Sequence, residues 1–436
     1  MPPDAPVSER DRLLPLALLS LLVGAATGLV GAVFRLSLDK ADLLRNALAR
    51  WAHIQGPLGL FAVVAACAAA TAAAAWLVRR FAPRASGSGI PHTEAVLKGD
   101  LPPAPLWLIP VKFVGGVLAI GAGLALGREG PSVQIGAGLA QLVGRIFRRE
   151  WVDCRVLIAA GAGAGLATAF NAPIAGAVFV LEELVRRFET RIGIAALGAS
   201  ATSMLVARQF LGEAPEFEVP LLPYPSMQAQ MLFFVLGIVA GVAAIAYNRT
   251  LLATIRFANS LQRWPVELRA AIIGATVGLL VWFTPSFVGG GEALTQQSLN
   301  GTMTVGVLAA VFVLRFALGS VSYAANTPGG LFAPMLVLGA QLGLLFAVLC
   351  DFVLPNLDTP ANAFAIVGMA AFFTGVVRAP VTGIVLITEM TGSFTMLLPM
   401  LGACFVAMLL PTLFGNPPIY DSLRELDTGS KTSPAK

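Results

Sequence analysis

Nine stretches of this sequence, residues 13–34, 51–78, 156–181, 219–248, 270–291, 293–314, 316–350, 359–377 and 390–420, contain no Asp, Glu, Lys or Arg. A bilayer core of ~30 Å takes about 20 apolar residues per helix, so the pattern predicts an all-α polytopic membrane protein. Only 12% of the 436 residues are charged, whereas soluble domains run near 25%. A soluble enzyme is thereby excluded. Residues 219–248 alone would make a helix of about 45 Å at 1.5 Å per residue, so long tilted helices or helix pairs are expected.

Many of the 45 Gly and 29 Pro fall inside the apolar runs rather than in polar linkers. Unsatisfied backbone is expensive in lipid, so broken helices are expected where protein or a cavity surrounds them. Arg clusters at Arg79, Arg80 and Arg84, at Arg145, Arg148 and Arg149, and at Arg186, Arg187 and Arg191 flank hydrophobic runs and read as positive-inside topology signals. No soluble basic domain is present to bind nucleic acid. Two His and four Cys without CxxC spacing give no metal site and no disulfide framework. Cys67, Cys154, Cys350 and Cys404 read as small buried hydrophobes. The first apolar run lacks a small-residue cleavage site and is long enough to span, so it reads as a retained helix.

The two halves echo each other. Asn171-Ala-Pro-Ile-Ala-Gly-Ala-Val-Phe-Val-Leu-Glu182 matches Arg378-Ala-Pro-Val-Thr-Gly-Ile-Val-Leu-Ile-Thr-Glu389 in Ala, Pro, Gly, Val and Glu at the same offsets. Weaker echoes join residues 127–136 to 330–339, and residues 22–29 to 236–242, where glycines stand four apart. The expected organisation is a cytoplasmic tail at 1–12, transmembrane repeats at 13–215 and 216–420, and a second cytoplasmic tail at 421–436, with no large regulatory module. Matched repeats interrupted by Gly and Pro are the sequence sign of a transporter whose site lies at their interface.

Three segments carry a Gly turn followed by Pro inside apolar surroundings: Gly87-Ser-Gly-Ile-Pro91, Gly127-Arg-Glu-Gly-Pro131 and Gly329-Gly-Leu-Phe-Ala-Pro334. Pro is favoured at the first position of a helix, so each is expected to open one. Helix N-termini present unpaired N–H groups and a positive dipole end, which suit a small anion. Backbone amides around Gly87, Gly89 and Gly130, with the Ser88 hydroxyl, are the expected donors. Arg128 and Glu129 sit deep in an apolar region, where charges are costly and by default functional. A Glu129 carboxylate at such a helix end would compete with an anion when ionised and could carry a proton when neutral. Glu182 and Glu183 end an apolar run just ahead of Arg186 and Arg187. A solvated helix end with local ion pairs and a proton relay at the cytoplasmic face are both open for them.

In that order, GSGIP, GREGP and GGLFAP resemble the signature segments of the CLC family of chloride channels and chloride/proton antiporters. Lys112-Phe-Val-Gly-Gly, Phe170-Asn-Ala-Pro173 and Asn416-Pro-Pro-Ile-Tyr420 agree with it. The resemblance covers essentially the whole chain. It implies a homodimer in the lipid bilayer, two inverted repeats per subunit and one pathway in each. By the same resemblance Ser88 and Tyr420 contact the central anion, Leu331 and Phe332 supply amides, Glu129 is the outer gating glutamate, and Glu183 is the inner proton-transfer glutamate. Glu94 and Lys112 fall where the family carries buried structural charges, and His92 stands where a carboxylate is familiar.

Family members that prefer nitrate carry Pro at the position of Ser88 and fluoride exporters carry Met, so chloride is the expected anion. The implied function is exchange of chloride for protons in a prokaryotic inner membrane, with no cofactor beyond bound chloride. The alternative is passive chloride conduction on the same scaffold, against which Glu183 argues. An intramembrane hydrolase using Ser86 or Ser88 with His92 is disfavoured, because Pro91 intervenes and no GxSxG elbow is present.

Overall fold

The computed structural model describes residues 9–261, 263–301, 303–354 and 359–428. Residues 1–8 and 429–436, which carry most of the expected N-terminal tail and half of the C-terminal one, lie outside it. The first half contains α1 (Glu9–Ile54), α2 (Pro57–Phe81), α3 (Ile90–Lys98), α4 (Leu108–Gly121), α5 (Glu129–Ile146), α6 (Trp151–Phe170), α7 (Pro173–Phe179) and α8 (Thr190–Leu211). The second contains α9 (Met227–Ser260), α10 (Val266–Phe283), α11 (Glu292–Leu299), α12 (Val305–Tyr323), α13 (Phe332–Val353), α14 (Ala361–Val377), α15 (Pro380–Thr391) and α16 (Leu397–Leu413), followed by α17 (Ile419–Thr428). Eight of the described helices are long and apolar enough to cross a bilayer. Most of the stretch 219–248 is therefore one long helix, α9, rather than a pair.

Short elements recur at matching places. A 3-10 turn at Pro83–Ala85 and a left-handed Gly89 (φ 85°) precede α3, and a 3-10 turn at Pro285–Phe287 and a left-handed Gly291 (φ 97°) precede α11. Left-handed Asn171 (φ 54°) ends α6 and left-handed Arg378 (φ 73°) ends α14, each followed by an Ala-Pro that starts the next helix. Asn tolerates that conformation, and Pro fixes φ for a first turn.

Backbone proximity explains the glycine echoes. A Cβ at Gly136 of α5 would strike the Gly161 carbonyl of α6, and one at Gly339 of α13 would strike the Gly368 carbonyl of α14. Both crossing glycines lie seven residues beyond the first residue of their helix. Gly24 and Gly28 of α1 press on Ala199 and Ser203 of α8, just as Gly237 of α9 presses on Ala403 of α16 and Gly241 on Leu410. Small residues let helices approach closely where lipid gives no hydrophobic drive.

The repeats clasp each other through two matched carboxylates. Glu182 accepts from Val381 N (3.0 Å) and Thr382 N (2.6 Å) at the start of α15. Glu389 accepts from Ile174 N (3.0 Å) and Ala175 N (2.7 Å) at the start of α7. Each repeat thus caps a helix of the other, which satisfies amides that have no partner within the helix. All four cysteines are buried and unpaired.

One segment departs from expectation. Residues 419–428 form a helix, α17, that packs on α3, so the start of the expected polar tail is ordered structure.

Candidate functional site

Three helix starts, those of α3, α5 and α13, meet in the interior. Gly87 N donates to Thr327 O (3.0 Å) and Gly329 N to Gly87 O (3.0 Å), while Gly127 and Gly330 exchange hydrogen bonds of 2.9 and 2.7 Å. Those bridges tie the three Gly-Pro segments together across the repeats. The helices begin one or two residues ahead of the prolines: α3 at Ile90, α5 at Glu129 and α13 at Phe332. Pro131 and Pro334 therefore occupy first-turn positions whose N–H would be unpaired in any case, and Glu129 is the first residue of its helix. In α3, α5 and α13 the residue before the helix offers no side-chain cap.

Glu129 occupies that junction. It is fully buried, and its Oε1 accepts from Phe332 N at 2.7 Å, so the carboxylate of the first repeat lies on the α13 N-terminus of the second. A Cβ at either Gly127 or Gly330 would collide with this carboxylate, which explains both glycines. Gly130 plays the same part toward Ser88, whose hydroxyl and carbonyl press where its Cβ would stand. Tyr420, the second residue of α17, brings its ring to 6.1 Å from that of Phe332, nearly parallel to it. Ser88, Glu129, Leu331, Phe332 and Tyr420 are all fully buried.

The hydroxyls of Ser88 and Tyr420 have no hydrogen-bond partner among the described residues. Buried polar groups are almost always paired, so two such donors beside helix starts have hydrogen bonds to offer that a small anion could take. No group of His, Cys, Asp and Glu suited to a metal occurs among the described residues.

Arg128 does not pair with its neighbour. Its Nη2 lies 2.6 Å from Glu216, its Nη1 3.0 Å from Glu292, and its Nε donates to Ala169 O at 2.9 Å. Glu216 also holds Arg35 at 2.8 Å. The positive charge is thus compensated from outside, and Glu129 is left facing backbone amides. A cavity of about 490 Å³ reaches Arg128 and Glu292 from one face.

Two separate cavities open elsewhere. One of about 310 Å³ is lined by Ser86, Gly87, Gly89 and Tyr323, the residues around Ser88. Another of about 640 Å³ is lined by Glu182, Glu183, Arg186 and Arg187. Glu183 is buried at its end, paired with Arg186 at 3.2 Å, whereas Glu182 turns away to cap α15. The adjacent carboxylates thus differ in kind, which spacing could not decide.

Charges read as structural hold the turns. Lys112 Nζ donates to Ala85 O (3.0 Å) and Gly87 O (2.7 Å). Glu94 meets Lys98 at 2.7 Å and also pairs with Arg424. His92 Nδ1 lies 3.2 Å from Gln134 Nε2, and the histidine also lines the cavity beside Gly87 and Gly89. Sequence reasoning missed Tyr323, whose hydroxyl accepts from Ser88 N at 3.2 Å, although it stands only six residues before Gly329. It also missed Glu216, for which nothing in the linker spacing gives a signal.

Two inverted repeats whose broken helices aim N-termini and a buried carboxylate at one point define a membrane transport protein of the inverted-repeat class. The sequence matches the family described as voltage gated chloride channel over residues 70–412. The chain belongs to that family. It is 38% identical to an H(+)/Cl(-) exchange transporter ClcA of Salmonella arizonae over 95% of this chain and 89% of the relative. It is 39% identical to a ClcA of Cronobacter sakazakii over 95% of this chain and 90% of the relative. Among solved structures, a slow cyanobacterial Cl-/H+ antiporter superposes with TM-score 0.91 at 31% identity, covering 95% of this chain and 98% of the other. A CLC-type fluoride/proton antiporter shares the fold with TM-score 0.75 at 24% identity, over 95% and 98% of the two chains.

Proposed function

We propose that this protein is a secondary active transporter that exchanges chloride for protons across a prokaryotic inner membrane. The observation that carries the reading is the Glu129 carboxylate on the Phe332 amide at 2.7 Å, beside the two unpartnered buried hydroxyls of Ser88 and Tyr420. In this arrangement the carboxylate takes the place of an anion. An arriving chloride would displace ionised Glu129, and a proton would neutralise it and end its attraction to the helix dipole. Anion and proton occupancy are then linked, because each changes the affinity for the other by the same factor.

Ser88 and Tyr420 donate hydroxyls to the central chloride, amides of Leu331 and Phe332 flank it, and the backbone at Gly87, Gly89 and Gly130 shapes its path. Glu183 receives protons from the cytoplasmic side. That its cavity shares no lining residue with the one beside Gly87, Gly89 and Tyr323 supports exchange over passive conduction, which needs a single route. Chloride is substrate, and no cofactor takes part. The subunits pair as a homodimer, each with a repeat at 13–215 and another at 216–420.

Purified protein in liposomes tests this directly by simultaneous recording of chloride and proton flux. An outward chloride gradient should drive protons uphill. Glu129→Gln should abolish proton movement and leave chloride flux flat between pH 4 and 8, and Glu183→Gln should abolish proton movement alone. Chloride flux without proton movement in the wild type would establish a channel instead.

A further inference from the structure

Around Glu183 the structure gathers a ring of charge that reaches the opposite end of the chain. Glu183 Oε1 lies 3.2 Å from Arg186 Nη2, and Arg186 Nη1 lies 3.0 Å from Asp421 Oδ2. Asp421 directly follows Tyr420 at the start of α17. Its Oδ1 is 3.3 Å from Arg424 Nη2, and Arg424 pairs in turn with Glu94 of α3. Glu94 closes the ring at 2.7 Å from Lys98 and 3.6 Å from Arg186.

The charged groups facing Glu183 are thus Arg186 after its own turn, Glu94 with Lys98 on α3, and Asp421 with Arg424 on α17, while Glu182, Arg187 and Arg378 line the same cavity. The α6 helix meets the same turn through Gly163 against Val180. Arg186 adopts a left-handed conformation (φ 55°), which a residue with a side chain keeps only when its surroundings hold it there.

We propose that Arg186 and Asp421 are positioning residues that join the proton acceptor to the helix carrying Tyr420, so that the charge on Glu183 is felt at the inner side of the anion site. The inference rests on the reading of Glu183 as that acceptor. With Glu183 ionised, three carboxylates face three cations and Arg186 divides its guanidinium between Glu183 and Asp421. With a proton on Glu183, Arg186 keeps Asp421 and Glu94 as its charged partners. Its hold on the first turn of α17 then tightens, one residue from the hydroxyl that meets the anion. Planar guanidinium geometry suits this sharing, since its two Nη groups reach different carboxylates at once.

Full-length variants in liposomes test it, with proton and chloride flux followed as the pH on the inner face is varied. Glu183→Gln comes first: if it retains proton flux, the acceptor is misassigned and the inference falls with that reading. If proton flux is lost, Asp421→Asn decides the latch itself. It removes a carboxylate at constant shape and leaves Arg186 to Glu183. The pH of half-maximal proton flux should then move to acid by about 0.5–1 unit, and more chloride should pass per proton. Arg186→Gln should move the midpoint the opposite way by a similar amount, because the neutral form of Glu183 gains. Arg186→Lys keeps the charge but not the fork, so it should restore the midpoint while leaving excess chloride. A folded Asp421→Asn with wild-type midpoint and stoichiometry would overturn the latch. That variant suffices alone if the Arg186 variants do not fold.

Discussion

The turn before α3 and the turn before α11 are built alike and put to different ends. Each begins with a 3-10 element, ends in a left-handed glycine and is held by a buried cation on the next helix. Lys112 of α4 donates to Ala85 O and Gly87 O, and Arg315 of α12 donates to Phe287 O (3.3 Å), Gly289 O (2.8 Å) and Gly290 O (3.1 Å). In the first turn the next residue is Ser88, whose hydroxyl is left for a ligand. In the second it is Gly290, and the helix opens with Glu292, which pairs with Arg128. On the proposed reading one repeat therefore presents a donor to the anion, and the other supplies a lip that fixes Arg128 beside Glu129. Backbone symmetry supplies the frame, and single side chains decide which copy becomes the site.

Replacing the two cations is the strongest way to break that comparison. Lys112→Met orphans Ala85 O and leaves Gly87 O with Gly329 N as its donor, while Arg315→Met strips the donor from the Phe287, Gly289 and Gly290 carbonyls. At about 1–3 kcal/mol per orphaned buried group, both should lower the unfolding midpoint in detergent, Arg315→Met by more. Their effects on transport should differ. Lys112→Met loosens the turn that presents Ser88, and in the surviving fraction the chloride to nitrate ratio should fall. Arg315→Met should leave that ratio alone. Equal changes in selectivity would mean that the second turn also touches the anion.

A milder exchange sharpens it. Ser88→Pro removes the hydroxyl and also the N–H that Tyr323 accepts, and should shift preference from chloride toward nitrate. Loss of a hydrogen bond to an anion is worth roughly 1.5 kcal/mol, or on the order of tenfold in the ratio of exchange currents. Gly290→Ser places a hydroxyl at the matching position, where a Cβ meets nothing closer than Leu126 O at 3.6 Å. It should fold normally and change selectivity little. A shift comparable to that of Ser88→Pro would put the outer lip in the anion path.

The same contrast shows what the sequence could and could not reveal. Gly-Pro segments and apolar runs are local features, and they located Ser88, Glu129 and Phe332 because helix starts inside a membrane obey local backbone rules. The matched Ala-Pro segments were legible for the same reason, since a left-handed residue and a following Pro are required at each turn. Glu216 and Asp421 were not legible. Each acts by reaching across the fold to an arginine more than 80 residues away in sequence, at 2.6 and 3.0 Å respectively. Spacing left the split between Glu182 and Glu183 open, and only the family resemblance singled out Glu183. In the fold a π-helical turn at Val180–Leu184 carries both and sends them to different partners. The fourth matched turn at Gly289–Glu292 escaped because it has no Pro after its glycines.

The smallest expected effect concerns the two capping carboxylates. Glu182 and Glu389 stand at equivalent places, and each accepts two backbone N–H groups from the helix start of the other repeat. Changing either to Gln keeps an acceptor oxygen but removes the charge that favours the dipole end, a loss of about 0.3–1 kcal/mol. Glu182 accepts one further bond, from Thr382 Oγ1 at 2.7 Å, whereas the residue matching Thr382 opposite Glu389 is Ala175, which has no hydroxyl. Glu182→Gln should therefore lower the unfolding midpoint slightly more than Glu389→Gln. Neither should alter the number of chlorides moved per proton, in contrast to Glu183→Gln one residue away. If Glu182→Gln weakens proton coupling while Glu389→Gln does not, capping is not its whole role. The cavity that Glu182 and Glu183 line together would then have to be treated as one proton-handling surface in which the first repeat again departs from its twin.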